Sequence, residues 1–289
     1  MCHIISCINQ KGGVAKTTTA HMLARELAKT SNRVLMIDFD GQATLTKLIN
    51  LKAHFDEDAL NDYMEKNSLL KIFKRESVEP LDITDIVKEN ENCSSAPIKE
   101  LHLLPSPGKE LGFIADAVPT GKNTILKRYL NTIKDKYDYI IIDSLPSLST
   151  LFENILWASD SLIIPIQTKF NAMTGANDFV KVVDDVMADY EIKYKNIFIL
   201  PTMYNMQRRD DKETLVEIKT SYLDYIKACD NIGKSNIVVL DTVPERAIFS
   251  KSQSYGLFLQ DFIECYDKGK SELLLLLEKI TKQITDNCK

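Results

Sequence analysis

The sequence predicts a doubly wound α/β fold, a mostly parallel sheet flanked by helices. Three observations predict it. Short apolar runs alternate with amphipathic helical stretches along most of the 289 residues. The runs of Ile, Leu and Val are continuous rather than alternating, as strands covered on both faces require. A glycine-containing loop, Lys11-Gly12-Gly13-Val14-Ala15-Lys16-Thr17-Thr18, follows the first apolar run and leads into the first helical pattern.

Composition sets the class. With 44% hydrophobic and 27% charged residues the chain has material for a globular core. No stretch approaches the roughly 20 apolar residues of a membrane span, and the N-terminus has no secretory n-region or h-region. The six cysteines, Cys2, Cys7, Cys93, Cys229, Cys265 and Cys288, are scattered without a C-x-x-C pair. This predicts free thiols in a reducing cytoplasm and excludes an Fe–S cluster pattern. A net charge of −5 argues against a surface coated in basic charge but leaves room for a local basic patch.

The expected strands are His3–Ile8, Arg33–Ile37, Leu101–Leu104, Tyr139–Ile142, Ser161–Pro165, Asn196–Leu200 and Ile237–Leu240. Helical patterns run over Thr17–Lys29, Thr120–Lys136 (started by Pro119 and Thr120), Asn171–Tyr190 and Asp210–Ala228. Segment Leu51–Lys99 is polar and mixed in charge, with helical pieces at Asp56–Lys74 and Ile83–Asn90 and a loop at Glu89–Ser95. It reads as a helical insertion (51–99) on the rim of one domain that fills residues 1–289. The leucine-rich helix over 271–286 mixes acids and lysines and lacks Trp and Phe, so it reads as a packing helix rather than a membrane anchor.

Three strand ends carry chemistry. The glycine pair lets successive N–H groups point inward at a helix N-terminus, making an anion nest. Lys16 stands where a phosphate-loop lysine reaches the β/γ-phosphates, and Thr17 supplies a hydroxyl for Mg²⁺. The strict pattern G-x-x-x-x-G-K-[ST] fails at Gln10 and Ala15, which occupy its glycine positions. The second strand ends in Asp38-Phe39-Asp40. Asp40, past the strand, is the candidate to orient water, and Asp38 the candidate to hold the loop or the Mg²⁺ shell. Tyr139–Ile142 then delivers Asp143 to the same edge, as a Walker B carboxylate requires.

With these residues in this order, the chain resembles the ParA/MinD group of deviant Walker-A P-loop NTPases, and within it the small ParA partition proteins. Lys11–Thr18 is similar to the family's K-G-G-x-x-K-T-T, Asp38–Gln42 to its D-x-D-P-Q, and Asp143–Ser147 to its D-T-P-P-S. Leu103–Ser106, Pro165–Gln167, Thr202–Asn205, Val243–Ser250 and Tyr255-Gly256 resemble later family motifs. The resemblance implies an ATPase with Lys11 reaching across a dimer interface to the partner's nucleotide phosphates. It places Lys16 and Thr17 on phosphate and Mg²⁺, Asp40 on water, Asp143 near Mg²⁺, and Met203 and Pro244 beside adenine.

It further implies an ATP-dependent homodimer, nonspecific DNA binding on the nucleoid of the cytoplasm, and a ParB-like centromere-binding partner, with no membrane. The runner-up is a MinD-like or protein-carrier positioning ATPase. Departures accompany the match. Ala15 adds a methyl group at a tight loop position, with binding expected to survive and turnover to slow. Lys169 replaces a family acid, and Gln207 and Ile248 replace its DNA-contacting arginines. A shifted patch of Arg208, Arg209, Arg246 and Lys251 is expected to take their place. With the phosphate loop starting at residue 11, no helix-turn-helix and no operator-specific autoregulation are expected.

Overall fold

The computed structural model describes residues 2–30, 32–49, 51, 56–89, 98–112, 123–147, 149–169, 172–173, 175–267, 269 and 271–289. Its strands are β1 His3–Cys7, β2 Arg33–Phe39, β3 Leu81–Asp82, β4 Glu100–Leu104, β5 Tyr139–Ser144, β6 Ser161–Gln167, β7 Asn196–Thr202 and β8 Asn236–Val239. They form one eight-stranded sheet in the order β3-β4-β2-β5-β1-β6-β7-β8. Every pairing is parallel except β3 with β4. The central strands β1, β2 and β5 end together, which collects their C-terminal residues on one edge.

The helices are α1 Lys16–Lys29, α2 Thr44–Leu48, α3 Glu57–Lys66, α4 Leu69–Phe73, α5 Thr84–Glu89, α6 Ile125–Ile133 and α7 Thr150–Ala158. They continue with α8 Ala176–Tyr190, α9 Arg209–Glu217, α10 Leu223–Ala228, α11 Ala247–Ser254, α12 Leu259–Tyr266 and α13 Ser271–Cys288. Because side chains alternate along a strand, the longer strands feed two cores. Leu35, Ile37 and Phe39 of β2 join Ile140, Ile142 and Ile164 on one face, beneath Leu130, Ile155 and Val183 of α6, α7 and α8. Val34 and Met36 join Ile5, Ile141 and Ile163 on the other, beneath Ala20, Leu23 and Leu27 of α1. The continuous apolar runs in the sequence follow from this double coverage.

Several expectations are adjusted. Strand β3 is only two residues long and antiparallel, too short to give a periodic signal. The helix expected over Asp56–Lys74 breaks between α3 and α4, where Asn67 closes one and Ser68 opens the other. The helix expected over Asp210–Ala228 carries a π-helical turn at Ile218–Tyr222. Helices α2, α7, α11 and α12 are not among the helices expected from the sequence. Pro119, Thr120, Asn171 and most of the Glu89–Ser95 loop lie outside the described residues.

Helix α13 buries Leu273, Leu277, Ile280 and Ile284, a single stripe, against α1, α12 and β7. No described helix is long and apolar enough to cross a membrane. Between α1 and α12, the Arg25 guanidinium meets the Asp261 carboxylate at 2.7 Å with both side chains almost fully buried. Burial pushes the Asp261 carboxyl up, and Arg25 opposes it. The expectation of six free thiols is corrected: Cys265 is disulfide-bonded, whereas Cys2, Cys7, Cys229 and Cys288 are free. A disulfide closed by the tertiary fold leaves no C-x-x-C spacing in the sequence. Cys93 lies outside the described residues.

Candidate nucleotide site

The loop between β1 and α1 crosses the sheet edge with Gly13 at φ 71° and Ala15 at φ 75°. Gly13 adopts this left-handed region freely, but the Ala15 methyl group pays about 1–2 kcal/mol. The strain persists because neighbours over-determine the loop. The Gln167 amide donates to the Gly13 carbonyl at 2.6 Å, the Thr202 hydroxyl to the Val14 carbonyl at 3.2 Å, and Asn9 Nδ2 to the Pro165 carbonyl at 2.8 Å. Gln253 reaches from α11 to the Thr18 hydroxyl at 3.0 Å. Gln167, Thr202 and Gln253 carried no site role in the sequence. Only their P-x-Q and T-M-Y contexts could have suggested one for the first two.

Lys16 opens α1 almost buried, and its Nζ donates to the Lys11 carbonyl at 3.3 Å. Burial pulls its pKa down, while Asp143, Asp40 and Cys7 push it back up. Thr17 and Thr18 follow on the same turn, half-buried, with Gly12 exposed. Lys11 is exposed, and among the described residues its ammonium makes no ion pair. It borders a cleft of about 200 Å³ with Asn9, Gln10, Gln167 and Gly175.

Cys7, Asp143 and Asp38 are register neighbours across β1, β5 and β2. Asp38 is saturated: it accepts from Thr46 N at 2.8 Å, Thr46 Oγ1 at 2.7 Å and Asp40 N at 3.2 Å. Burial raises its pKa to about 6 against those bonds. The structure therefore places Asp38 as the clasp of the β2–α2 loop. Asp40 stands beyond the strand, half-exposed, and its Oδ1 accepts from Gln42 N at 2.9 Å.

Asp143 differs. Among the described residues both carboxylate oxygens are buried without a hydrogen-bond partner, and burial, then Asp38, push its pKa well above the usual range. The Thr17 hydroxyl faces it and lowers its pKa, though outside hydrogen-bond geometry. A buried carboxylate without a partner is costly. The hydroxyl–carboxylate set of Thr17 and Asp143 fits Mg²⁺, whose preferred ligands are oxygen and water.

Met203 and Pro244 come together through the Tyr204–Pro244 bridge and two backbone bonds, Tyr204 N to Val243 O at 3.1 Å and Glu245 N to Tyr204 O at 2.9 Å. They wall a cleft of about 260 Å³ with Ala15, Thr18, Arg246 and Phe249. Met203 is itself left-handed at φ 56°. The expected basic patch is not a set of free cations. Arg208 pairs with Glu245 at 3.0 Å and Arg209 with Glu213 at 2.7 Å. Lys169 joins the same Glu245 at 2.9 Å and the buried Asp211 at 3.2 Å. Arg246 and Lys251 are exposed, and among the described residues neither makes an ion pair.

Known proteins resemble this chain in sequence and fold. A family profile described as an AAA domain matches residues 2–195. The sporulation initiation inhibitor protein Soj of Bacillus subtilis is 31% identical over 224 residues, covering 77% of this chain and 81% of the relative. A putative plasmid partition protein of Borrelia burgdorferi, solved bound to AMPPNP, superposes with a TM-score of 0.67 at 25% identity, over 96% of this chain and 98% of that one. Apo McdA of Cyanothece superposes at 0.71 with 19% identity, over 98% and 100%, a likeness of fold. Motif order, sheet order and sequence likeness agree, and the chain belongs to the ParA/MinD family as a ParA-type partition ATPase.

Proposed function

We propose that the chain is a Mg²⁺-dependent ATPase that dimerises on ATP, binds DNA nonspecifically and drives plasmid or chromosome partition with a ParB-like partner. The observation that carries the reading is the buried, partnerless Asp143 carboxylate beside Thr17 and Lys16 at the end of a phosphate loop. In this reading residues 1–289 act as one domain, with 51–99 as a helical insertion on its rim.

The nests of Gly12, Gly13, Val14 and Ala15, with Lys16, Thr17 and Thr18, hold the phosphates, and Met203 and Pro244 flank the base. Thr17 and Asp143 hold Mg²⁺, with Asp38 acting through the loop it clasps. When bound, the ion neutralises charge on the phosphate oxygens. Asp40 accepts a hydrogen bond from the attacking water and aims it at the γ-phosphorus. Lys16 stabilises the negative charge that develops as ADP leaves. Lys11, exposed and without an ion pair among the described residues, does the same for a second subunit's nucleotide, which makes turnover conditional on the dimer.

The DNA surface in this reading rests on Arg246 and Lys251, with Arg208 and Arg209 contributing once they leave Glu245 and Glu213. Those two ion pairs favour one second reading, a positioning ATPase that moves a protein or membrane cargo. Nucleoid association in the cytoplasm belongs to the first reading only. Phosphate release with and without Mg²⁺, and duplex-DNA and anionic-vesicle binding in ATP against ADP, test the two. ATP-dependent DNA binding is expected. DNA binding indifferent to nucleotide, or vesicle binding in its place, contradicts the first reading.

A further inference from the structure

A second concavity lies away from the phosphate loop, on the face covered by α6. Ile125, Tyr129 and Ile133 recur at i, i+4 and i+8, while Arg128, Thr132 and Lys136 follow at the i+3 offset. All six line one groove of about 610 Å³. Five stand on α6 and Lys136 on the 3-10 turn Lys134–Lys136 that follows it, together a stripe of roughly 17 Å. Ile72 and Val78 complete its apolar floor, both nearly buried.

The opposite wall is built rather than loose. The Tyr129 hydroxyl donates to the Val78 carbonyl at 3.1 Å, and the Tyr63 hydroxyl donates to the Glu79 carbonyl at 2.7 Å. Lys71 neutralises Glu76 at 2.8 Å. On the rim, Arg75, Arg128 and Lys136 are exposed, and among the described residues none makes an ion pair. Among the described lining residues, Glu79 is the one carboxylate left against these three cations.

Arg75 adds an independent sign. It is left-handed at φ 63° and ends α4, its N–H donating to the Ile72 carbonyl at 2.9 Å and the Glu76 N–H to the Lys71 carbonyl at 3.0 Å. This helix-ending motif favours glycine. An arginine there costs stability and places a guanidinium on the groove rim.

We infer that this groove docks an acidic peptide segment of a protein partner, with carboxylates on Arg75, Arg128 and Lys136 and apolar side chains on the floor. An extended peptide of about five residues matches the stripe's length and alternates its side chains between floor and rim. A nucleic-acid backbone would meet the same cations but leave the half-buried Tyr129 ring and the apolar floor beside it uncovered. The inference stands whether or not the nucleotide reading does.

The test is selection of displayed random twelve-residue peptides on the full-length protein, with counter-selection on the Arg128→Glu/Lys136→Glu double variant. Enriched sequences should combine acids with Leu, Ile or Phe. By fluorescence anisotropy they should bind the wild type at least about tenfold more tightly than the double variant, and bind Lys11→Ala as they bind the wild type. Arg75→Gly, which suits the backbone, should remain folded yet weaken binding several-fold. No enrichment, basic or wholly polar winners, or equal binding to the double variant overturns the proposal. Displacement of the peptides by short duplex DNA, with the same sensitivity to the variants, overturns it in favour of nucleic acid.

Discussion

Asp38 and Asp143 are register partners on adjacent parallel strands, both fully buried, and they differ completely in their hydrogen bonding. Asp38 accepts three bonds from its own loop, whereas among the described residues neither oxygen of Asp143 has a hydrogen-bond partner. One carboxylate is spent on architecture, and the other is kept for something that arrives.

Replacing each separates the two roles. Asp143→Asn removes a carboxyl that burial makes hard to ionise, so the protein without Mg²⁺ should be stabilised by about 1 kcal/mol. The extra thermal stabilisation that Mg²⁺ adds to nucleotide should disappear. Asp38→Ala should instead destabilise the fold by about 2–3 kcal/mol through three lost bonds, with the Mg²⁺ increment retained. Thermal melts with ADP, with Mg²⁺ or with EDTA, read both effects.

Ala15 occupies a backbone conformation suited to glycine at φ 75°. Ala15→Gly should therefore stabilise the protein by about 1 kcal/mol, measured by denaturant unfolding. It should also raise turnover in a phosphate-release assay. Unchanged stability would show that the loop relaxes around the methyl group.

The Gln167–Gly13 bond, at 2.6 Å, ties β6 to the phosphate loop. Gln167→Ala should cost about 1 kcal/mol of nucleotide binding, roughly a fivefold rise in the dissociation constant of a fluorescent ADP analogue. Global stability should change little, because Gln167 is only partly buried.

His21 is stacked on Phe258 with ring centroids 3.8 Å apart, and burial lowers its pKa from 6.5 to about 3. The unfolded chain binds the proton more tightly, so stability rises with pH across that window and falls as pH drops below 6.5. From pH 7.5 to 5.5 this group should remove about 1.4 kcal/mol. Asp38, raised to about 6 by burial, acts with the opposite sign and gains stability as pH falls. Comparing urea unfolding of the wild type and His21→Gln at both pH values isolates the histidine.

The sequence disclosed the parts of this molecule whose signal is local. The phosphate loop, the seven longer strands and the carboxylates at their ends are short contiguous patterns, and doubly covered strands make continuous apolar runs. What it withheld depends on distance. Gln253 meets Thr18 from 235 residues away, and Cys265 finds its disulfide partner only in the folded chain. The pairing of Arg208 with Glu245 likewise turned an expected free cation into a bound one. Strand β3, at two residues, carries no period to read.

The central claim is that Lys11, exposed and without an ion pair among the described residues, works on the nucleotide of a second subunit. Sedimentation velocity with a non-hydrolysable ATP analogue and Mg²⁺ tests it most directly, on the wild type and Lys11→Ala. The account predicts a dimer for the wild type, and for the variant a monomer that still binds the analogue with near-normal affinity. Equal dimerisation of both proteins would contradict it.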